Sequence, residues 1–264
     1  MLDLLLRDVQ VSMLVFFRVL GLIQVVPLFS SASVPQIAKI GIGLFVASAV
    51  VPSIVSEGYP VPERALEYGL LVLGEALIGI LLGFVIRLVF SAFQVAGQLF
   101  SLQMGFGAAE VFDPLAQIQI PLIGQFFNLI AMFIFLTIGG FHKVMLVGVA
   151  RSFQVIRAAD LVTGRRALLS SFGVSLGNLF ETALMISLPI LGTLLLVSIS
   201  LGLLAKAAPQ MNLLMLGFPV SIGVGFVVFV LALPFVVGAI AKTIDGGFEE
   251  LANLIMDLKS EGLR

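Results

Sequence analysis

The chain alternates between long apolar runs and short polar interruptions. Charge-free stretches cover residues 19–38, 88–109, 114–141, 182–205 and 207–241. A helix crosses the hydrocarbon core of a bilayer with about 20 residues, so each stretch is long enough to span a membrane. Short segments of alternating polarity, the pattern of a transmembrane barrel, are missing. The pattern predicts an all-α integral membrane protein, a helical-hairpin protein with long helices kinked by proline and glycine.

Prolines and charges indicate where the first runs are interrupted. Pro27 and Pro35 predict a break or bend early in the chain, because proline cannot donate the backbone hydrogen bond of a helix. Residues 68–109 contain two ionisable groups, Glu75 and Arg87. They predict either two spans hinged at Arg87 or one very long helix.

The last hundred residues predict two longer helices. Residues 168–207 would form a helix of about 60 Å, about twice the hydrocarbon thickness. It is either kinked at Pro189 or extends beyond the bilayer into a protein assembly. The following helix continues without a stop signal into the C-terminal tail. The tail carries apolar residues at helical spacing and is therefore amphipathic: Ile244, Phe248, Leu251, Ile255 and Leu258.

The central stretch, residues 97–114, interrupts the apolar pattern. It contains Gly97, Gly105, Gly107 and an Asp113–Pro114 turn, so it predicts a bend that is neither helix nor strand. Backbone without internal hydrogen bonds cannot face lipid, so the bend lies at the surface, inside protein or against a water-filled cavity. Two interpretations stay open: a connector at the membrane edge, or a loop that lines or closes a passage.

Composition and charge narrow the function classes. The chain is 60% hydrophobic and 11% charged, its formal net charge is −1, and it has no cysteine. Its mean hydropathy is +1.19. Without a basic cluster, nucleic acid is not expected as a partner. No cofactor or metal site is expected either, because one histidine and scattered carboxylates form no ligand set. The N-terminal residues have no cleavage site of a removable signal.

Loop charge predicts an orientation. Residues 143–166 form the basic connection and are expected in the cytoplasm by the positive-inside rule. The acidic loop at residues 57–67 and the central stretch would then lie on the opposite face.

One sequence motif could indicate an enzyme. Gly173-x-Ser175-x-Gly177 matches the pattern of a serine nucleophile elbow, but its flanks predict helix where the elbow needs a strand. The single histidine, His142, precedes the serine, opposite to the hydrolase order. A close helix contact through Gly173 and Gly177 explains the same residues. No nucleotide-binding loop of the G-x-x-x-x-G-K-[ST] type occurs, and a protein without enzymatic activity is predicted.

Ionisable residues inside apolar runs are the stronger signal, because a charge at a helix centre costs about 2.5–3.5 kcal/mol on the insertion scale. At 100° per residue, Glu75 and Arg87 point about 120° apart on a straight helix, so neither is the other's partner. This favours contacts with neighbouring chains, and Glu181 and Lys206 are interpreted in the same way. Arg87 and Lys206 could instead extend to the membrane interface. A polar turn is predicted between the last two helices at Pro209, Gln210 and Asn212.

The sequence also resembles a known family. The early residues are Arg18, Gly21, Pro27, Phe29, Pro35 and Lys39, followed by Glu75-x-x-x-Gly79-x-x-x-Gly83-Phe84-x-x-Arg87. The middle contains Gln103-Met104-Gly105, Asp113-Pro114, Gly139-Gly140-Phe141-His142 and Ser152-Phe153. The strongest block runs from Leu203 to Asn212 and on to Leu216-Gly217-Phe218-Pro219. These motifs resemble the FliR family of flagellar biosynthetic proteins, related to the SctT- and SpaR-type components of type III secretion systems.

The resemblance implies an architecture and partners. Residues 1–165 would be similar to FliP, and residues 166–264 would form a hairpin similar to FliQ. The chain would join FliP and FliQ in an export gate of the flagellar basal body, near FlhB and FlhA. The gate passes unfolded polypeptides across the inner membrane, in contact with membrane lipid. Such subunits sit largely above the membrane plane, so loop charge would describe insertion rather than the assembled state.

The resemblance also assigns a role to the central stretch. In the family this loop plugs the pore, which implies the same role for Gln103, Met104, Gly105, Phe106, Gly107, Phe112, Asp113 and Pro114. Apolar, flexible side chains can exclude water and still deform around a polypeptide. Lys206 replaces an arginine common in the family, which keeps the charge. The alternative function is a small-solute or ion-coupled secondary transporter, although the halves show no repeat symmetry.

Overall fold

The structure is a computed structural model that describes residues 2–31, 34–57, 59–62, 64–105, 122–158, 160–210 and 213–262. Helices occupy nearly all of these residues, and no strand occurs among them. The prediction of an all-α protein is therefore confirmed.

Four helices form the first part of the chain: α1 Leu2–Val25, α2 Pro27–Ser30, α3 Gln36–Glu57 and α4 Ala65–Met104. The predicted break at the prolines is confirmed, since α1 ends at Val25 and Pro27 opens the short α2. Proline suits a first helical position, where its missing N–H would have no partner.

Helix α4 decides between the two alternatives for residues 68–109. It is one helix of 40 residues that passes through Arg87 without a hinge. At 1.5 Å per residue it is about 60 Å long. It ends at Met104, where Gly105 adopts a left-handed backbone with φ of 94°.

The middle of the chain is a bent apolar pair. Helix α5, Leu122–Thr137, is followed by Gly139, with φ of 70°, and by the helical stretch Gly140–Val155 at an angle of 72°. This stretch comprises α6 (Gly140–Lys143), a π-helical segment (Val144–Arg151) and α7 (Ser152–Val155). Much of the basic connection is thus helix.

The last part contains α8 (Asp160–Thr163) and two long helices, α9 (Arg165–Ala207) and α10 (Leu213–Gly262). Helix α9 continues through Pro189. The two helices run antiparallel, because Ser175 of α9 contacts Glu250 of α10, and Leu201 lies beside Gly217. The predicted amphipathic tail is confirmed: its five apolar residues, Ile244, Phe248, Leu251, Ile255 and Leu258, are at most 9% exposed.

Five helices of the described residues are long and apolar enough to cross a membrane, and the bent pair would add a sixth. The helices that qualify are α1, α3, α4, α9 and α10. Length and composition therefore describe a multi-pass membrane protein.

The chain divides into two compact units. Unit 1 contains Met1–Val89, Leu136–Leu176 and Asp245–Arg264, and unit 2 contains Phe90–Phe135 and Gly177–Ile244. In unit 1 α1 packs against α3 and, through glycines, against α4. A Cβ at Gly79 would overlap the carbonyl oxygen of Arg18, and one at Gly83 would lie 2.9 Å from that of Leu22. Gly79 and Gly83 therefore allow α1 and α4 to approach closely.

The second glycine pair behaves differently. A Cβ at Gly173 or Gly177 meets no atom within 4 Å. Both glycines are exposed on α9, so a close contact there with a helix of another subunit stays a prediction.

Candidate functional site

A buried ion pair lies in the core of unit 1. Arg18 of α1 donates from Nε to a carboxylate oxygen of Glu75 on α4 at 2.6 Å, and its Nη2 is 2.5 Å from the same oxygen. Both side chains are fully buried. The close approach of α1 and α4 at their glycines brings the two groups together. The sequence predicts an intersubunit contact for Glu75, whereas the structure gives its carboxylate a partner inside the same chain.

Neighbouring groups complete the hydrogen bonding of this pair. The Tyr59 hydroxyl donates to the other Glu75 oxygen at 2.6 Å. Arg18 also donates to the Ser152 hydroxyl at 2.9 Å and to the Ile156 carbonyl oxygen at 3.0 Å. The guanidinium carbon lies 3.6 Å from the centre of the Phe153 ring.

These contacts stabilise the charges of Arg18 and Glu75, which would otherwise be unfavourable in the interior of the protein. An ion inside protein costs several kcal/mol unless its remaining hydrogen-bonding capacity is satisfied. Burial, followed by the neighbouring Glu75 carboxylate, raises the pKa of Tyr59, so its hydroxyl stays protonated and can donate. The network joins α1, α4, the segment before α4 and the helical stretch after Gly139, which gives it a structural role in unit 1.

The other predicted polar contacts lie on the outside of the chain. Arg87 is exposed on α4, and Glu181 and Lys206 are exposed on α9. Pro209 and Gln210 follow the end of α9 and are also exposed. Contacts with other subunits remain predictions for these residues.

The described part of the predicted plug begins at the end of α4, in unit 2. Met104 is fully buried, and Gln103 and Gly105 are half-buried. The ring of Phe218 on α10 covers Gly105, because a Cβ there would lie 2.6 Å from Cδ1 of the ring. The Met104 side chain fills the space left by Gly225, where a Cβ would lie 2.8 Å from its Cγ.

One aromatic residue connects three helices at the same place. The ring of Phe229 on α10 lies 5.6 Å from that of Phe100 on α4. Its centre is also 5.9 Å from Phe126 and 5.7 Å from Phe127, both on α5. The pair with Phe126 is edge-on, an arrangement that aromatic rings favour.

Two glycines bring α4 and α5 into backbone contact. A Cβ at Gly97 would overlap the backbone of Gly124. The helices that precede and follow the central stretch therefore meet closely in unit 2.

Other predicted plug residues lie outside the described residues. These are Phe106, Gly107, Phe112, Asp113 and Pro114, and the same is true of Asn212 in the turn between α9 and α10. Their roles stay predictions.

Ser175 is located where a nucleophile elbow cannot form. It lies within α9, is 7% exposed, and donates to Glu250 at 3.1 Å. The elbow requires a sharp turn between a strand and a helix. Its role in unit 1 is a hydrogen bond between α9 and α10.

Residues that sequence reasoning missed fall into two groups. Tyr59 carried no signal beyond its position beside prolines. Arg18 did, because it interrupts an apolar run as Glu75 does, and two opposite charges in apolar runs are natural partners. Phe218 stood out only as part of the family block at residues 216–219, and Gly225 gave no signal, because glycines are frequent throughout the chain.

Helices α9 and α10 leave large apolar surfaces outside. In α1 44% of the residues of the apolar window are buried, whereas α9 and α10 bury 22% each. Exposed residues include Leu188, Leu196 and Leu203 on α9 and Val230 and Leu231 on α10. Large exposed apolar faces belong to proteins that meet lipid or other subunits. Together with the spans, they define an all-α, multi-pass membrane protein with surfaces for further contacts.

Comparison with known proteins gives the family. The model of the bacterial export proteins, family 1, matches residues 9–247. The flagellar biosynthetic protein FliR of Bacillus subtilis is 31% identical over 245 residues, which cover 92% of this chain and 93% of that protein. FliR of Escherichia coli is 31% identical over 92% of this chain and 90% of its own length. FliR of Pectobacterium carotovorum is 32% identical over 93% and 92%.

The chain therefore belongs to the bacterial export proteins, family 1. The resemblance of its motifs to the FliR family is confirmed.

Proposed function

We propose that the chain is a subunit of the flagellar type III protein export gate. In this role it forms, with homologues of FliP and FliQ, the channel that passes unfolded flagellar proteins across the inner membrane. Residues 103–114 of the central stretch plug the channel. The proposal includes no enzymatic step, and FlhB and FlhA homologues are further expected neighbours.

Family membership carries this proposal. The family match spans residues 9–247 and includes the whole central stretch. The relatives named above are flagellar biosynthetic proteins and are matched over nearly their full length. A component of the flagellar export apparatus is the function that these matches support.

Helix length supports a place in an assembly. Helices α4, α9 and α10 contain 40, 43 and 50 residues. At 1.5 Å per residue they extend over about 60 to 75 Å, whereas the hydrocarbon core is about 30 Å thick. Their exposed apolar residues therefore exceed what lipid can cover, and neighbouring subunits would cover the remainder.

The geometry at the end of α4 supports the plug. The helix ends at a buried methionine and a left-handed glycine, and the chain returns at α5, which contacts α4 through Gly97 and Gly124. The helices before and after residues 106–121 are thus held together, which suits a tethered loop between them. A loop tethered in this way can occupy a passage without a change in the helices around it.

Deletion of residues 105–110 tests the plug. The expected result is a leak of ions and small solutes through membranes that contain the assembled complex, because the apolar obstruction is lost. Leak is measured in cells as impaired growth and in vesicles as efflux of dye or ions. A deletion of the same length after Leu258, residues 259–264, serves as the control.

The result distinguishes the two functions. A secondary transporter would lose uptake on deletion and would not become leaky. A tight membrane with normal assembly would contradict the plug.

Co-purification in mild detergent tests the partners. Homologues of FliP and FliQ should remain bound in fixed ratio to this chain. Isolation of the chain alone, with neither homologue, would contradict the channel assembly.

A further inference from the structure

The face of α10 that carries Phe218, Gly225 and Phe229 packs along the end of α4. Phe218 covers Gly105, Gly225 receives Met104, and Phe229 contacts Phe100. Residues further along α10 thus contact residues earlier in α4, so the two helices run antiparallel here. The contact covers the last helical turns before the central stretch.

The contact at Gly105 depends on backbone conformation as well as space. With φ of 94°, this residue adopts a conformation that L side chains rarely occupy. The Phe218 ring lies in the volume where a side chain would be, with Cδ1 at 2.6 Å and Cε1 at 2.9 Å from the Cβ position. The ring therefore packs directly on the backbone at the point where the chain leaves α4.

The contact at Gly225 restrains the neighbouring residue. A Cβ there would lie 2.8 Å from Cγ, 2.9 Å from Cε and 3.1 Å from Sδ of Met104. Because Met104 is fully buried, its side chain occupies a notch that only glycine provides. Tight packing on two successive residues leaves little room for the root of the loop to move.

Helix α5, which follows the central stretch in the chain, packs against the same helix. Phe229 contacts Phe127 of α5 as well as Phe100 of α4. Helix α10 therefore holds the helix that enters the central stretch and the helix that leaves it.

From this geometry we propose that α10 holds the root of the plug in place, with Phe218 and Gly225 as its positioning residues. The inference rests on the proposed function, since it assumes that the central stretch closes a channel. When cargo passes, residues 104 and 105 stay on α10.

Two substitutions test the positioning role. Phe218→Ala removes the ring from Gly105, and Gly225→Val fills the notch of Met104. Both should raise the leak to the level of the 105–110 deletion while the complex still assembles. The matched controls are Phe172→Ala, which removes an aromatic contact with Phe84 in unit 1, and Gly223→Val, where a Cβ meets no atom within 4 Å. Both controls should stay tight.

A reversible cross-link separates positioning from general damage to the fold. The chain has no cysteine, so a Met104→Cys and Gly225→Cys pair would be its only thiols. In the Phe218→Ala background an added oxidant should join the pair and abolish the leak, and a reductant should restore it. A misfolded protein would not respond in this way. The control pair, Val89→Cys with Gly247→Cys, joins the same two helices in unit 1 and should not abolish the leak.

Three outcomes distinguish a failure of the positioning role from a failure of the plug. If the deletion leaks and the Phe218 and Gly225 variants assemble without leaking, the positioning role is refuted and the plug is not. If the oxidised 104–225 pair blocks export in an otherwise unsubstituted chain, the root moves during transport, which also refutes a fixed root. If the deletion itself stays tight, the plug is refuted, and the positioning role falls with it.

Discussion

The buried ion pair of unit 1 allows a quantitative prediction for stability. Glu75→Leu leaves the Arg18 guanidinium without a counter-charge in a fully buried site. Arg18→Met leaves the carboxylate in the same situation. Breaking a buried pair by removing one partner costs about 3–5 kcal/mol, so each single substitution should lower the free energy of unfolding by that amount.

The double substitution should cost less than the sum. It removes both charges, and the groups that lose a partner are then neutral: the Tyr59 hydroxyl, the Ser152 hydroxyl and the Ile156 carbonyl. At about 1 kcal/mol for each lost hydrogen bond, the double variant should lose about 3 kcal/mol. The two single costs add to about 6–10 kcal/mol, so a coupling of at least about 3 kcal/mol is expected.

The measurement is a double-mutant cycle on the purified protein in detergent, with unfolding by a denaturing detergent followed by circular dichroism. All four proteins are compared in one detergent, because the surrounding micelle contributes to stability. Costs that add within about 0.5 kcal/mol would mean that the two residues act independently. Such a result would refute the pairing of Arg18 with Glu75 as a stabilising contact.

Three further results are expected. Gly79→Ala should strongly destabilise the protein in the same unfolding assay, because its Cβ would overlap the backbone of α1. Gly173→Ala meets open space and should be neutral or stabilising by up to about 1 kcal/mol. Equal effects of the two substitutions would contradict the close helix approach. Lys143→Gln should cost at most about 1 kcal/mol, because its 2.7 Å contact with Asp245 joins two side chains that are 40% and 54% exposed; a loss comparable to that of the buried pair would contradict this. Ser175→Ala should leave flagellar export and motility unchanged, since the hydroxyl serves only a helix contact, and loss of export from a normally assembled complex would revive a catalytic role.

Local sequence patterns predicted most of the helical architecture. The break at Pro27 follows from the missing N–H of proline, and the buried face of the C-terminal tail follows from apolar spacing along one helix. Each depends on residues a few positions apart. The length of α4 could not be predicted, because a charged residue such as Arg87 is compatible with both a hinge and a continuous helix.

Contacts between distant residues could not be predicted in the same way. Glu75 was recognisable as a costly charge, but its partner lies 57 residues away, and helical geometry excludes only partners on its own helix. The glycines show the same limit. Gly79 and Gly173 both belong to a G-x-x-x-G pattern, yet only the first faces another helix. The G-x-x-x-G spacing identifies a helix face of small residues, and the packing of other helices decides whether that face contacts one of them.

The length and exposure of α10 have a consequence for the supply of this chain in the cell. About 75 Å of helix cannot fit within about 30 Å of hydrocarbon, and most of its apolar windows are uncovered in the single chain. Copies made in excess of their companions would expose leucine and valine to water and aggregate or be degraded. If the chain joins the proposed gate, synthesis of the other gate subunits has to keep pace with synthesis of this chain.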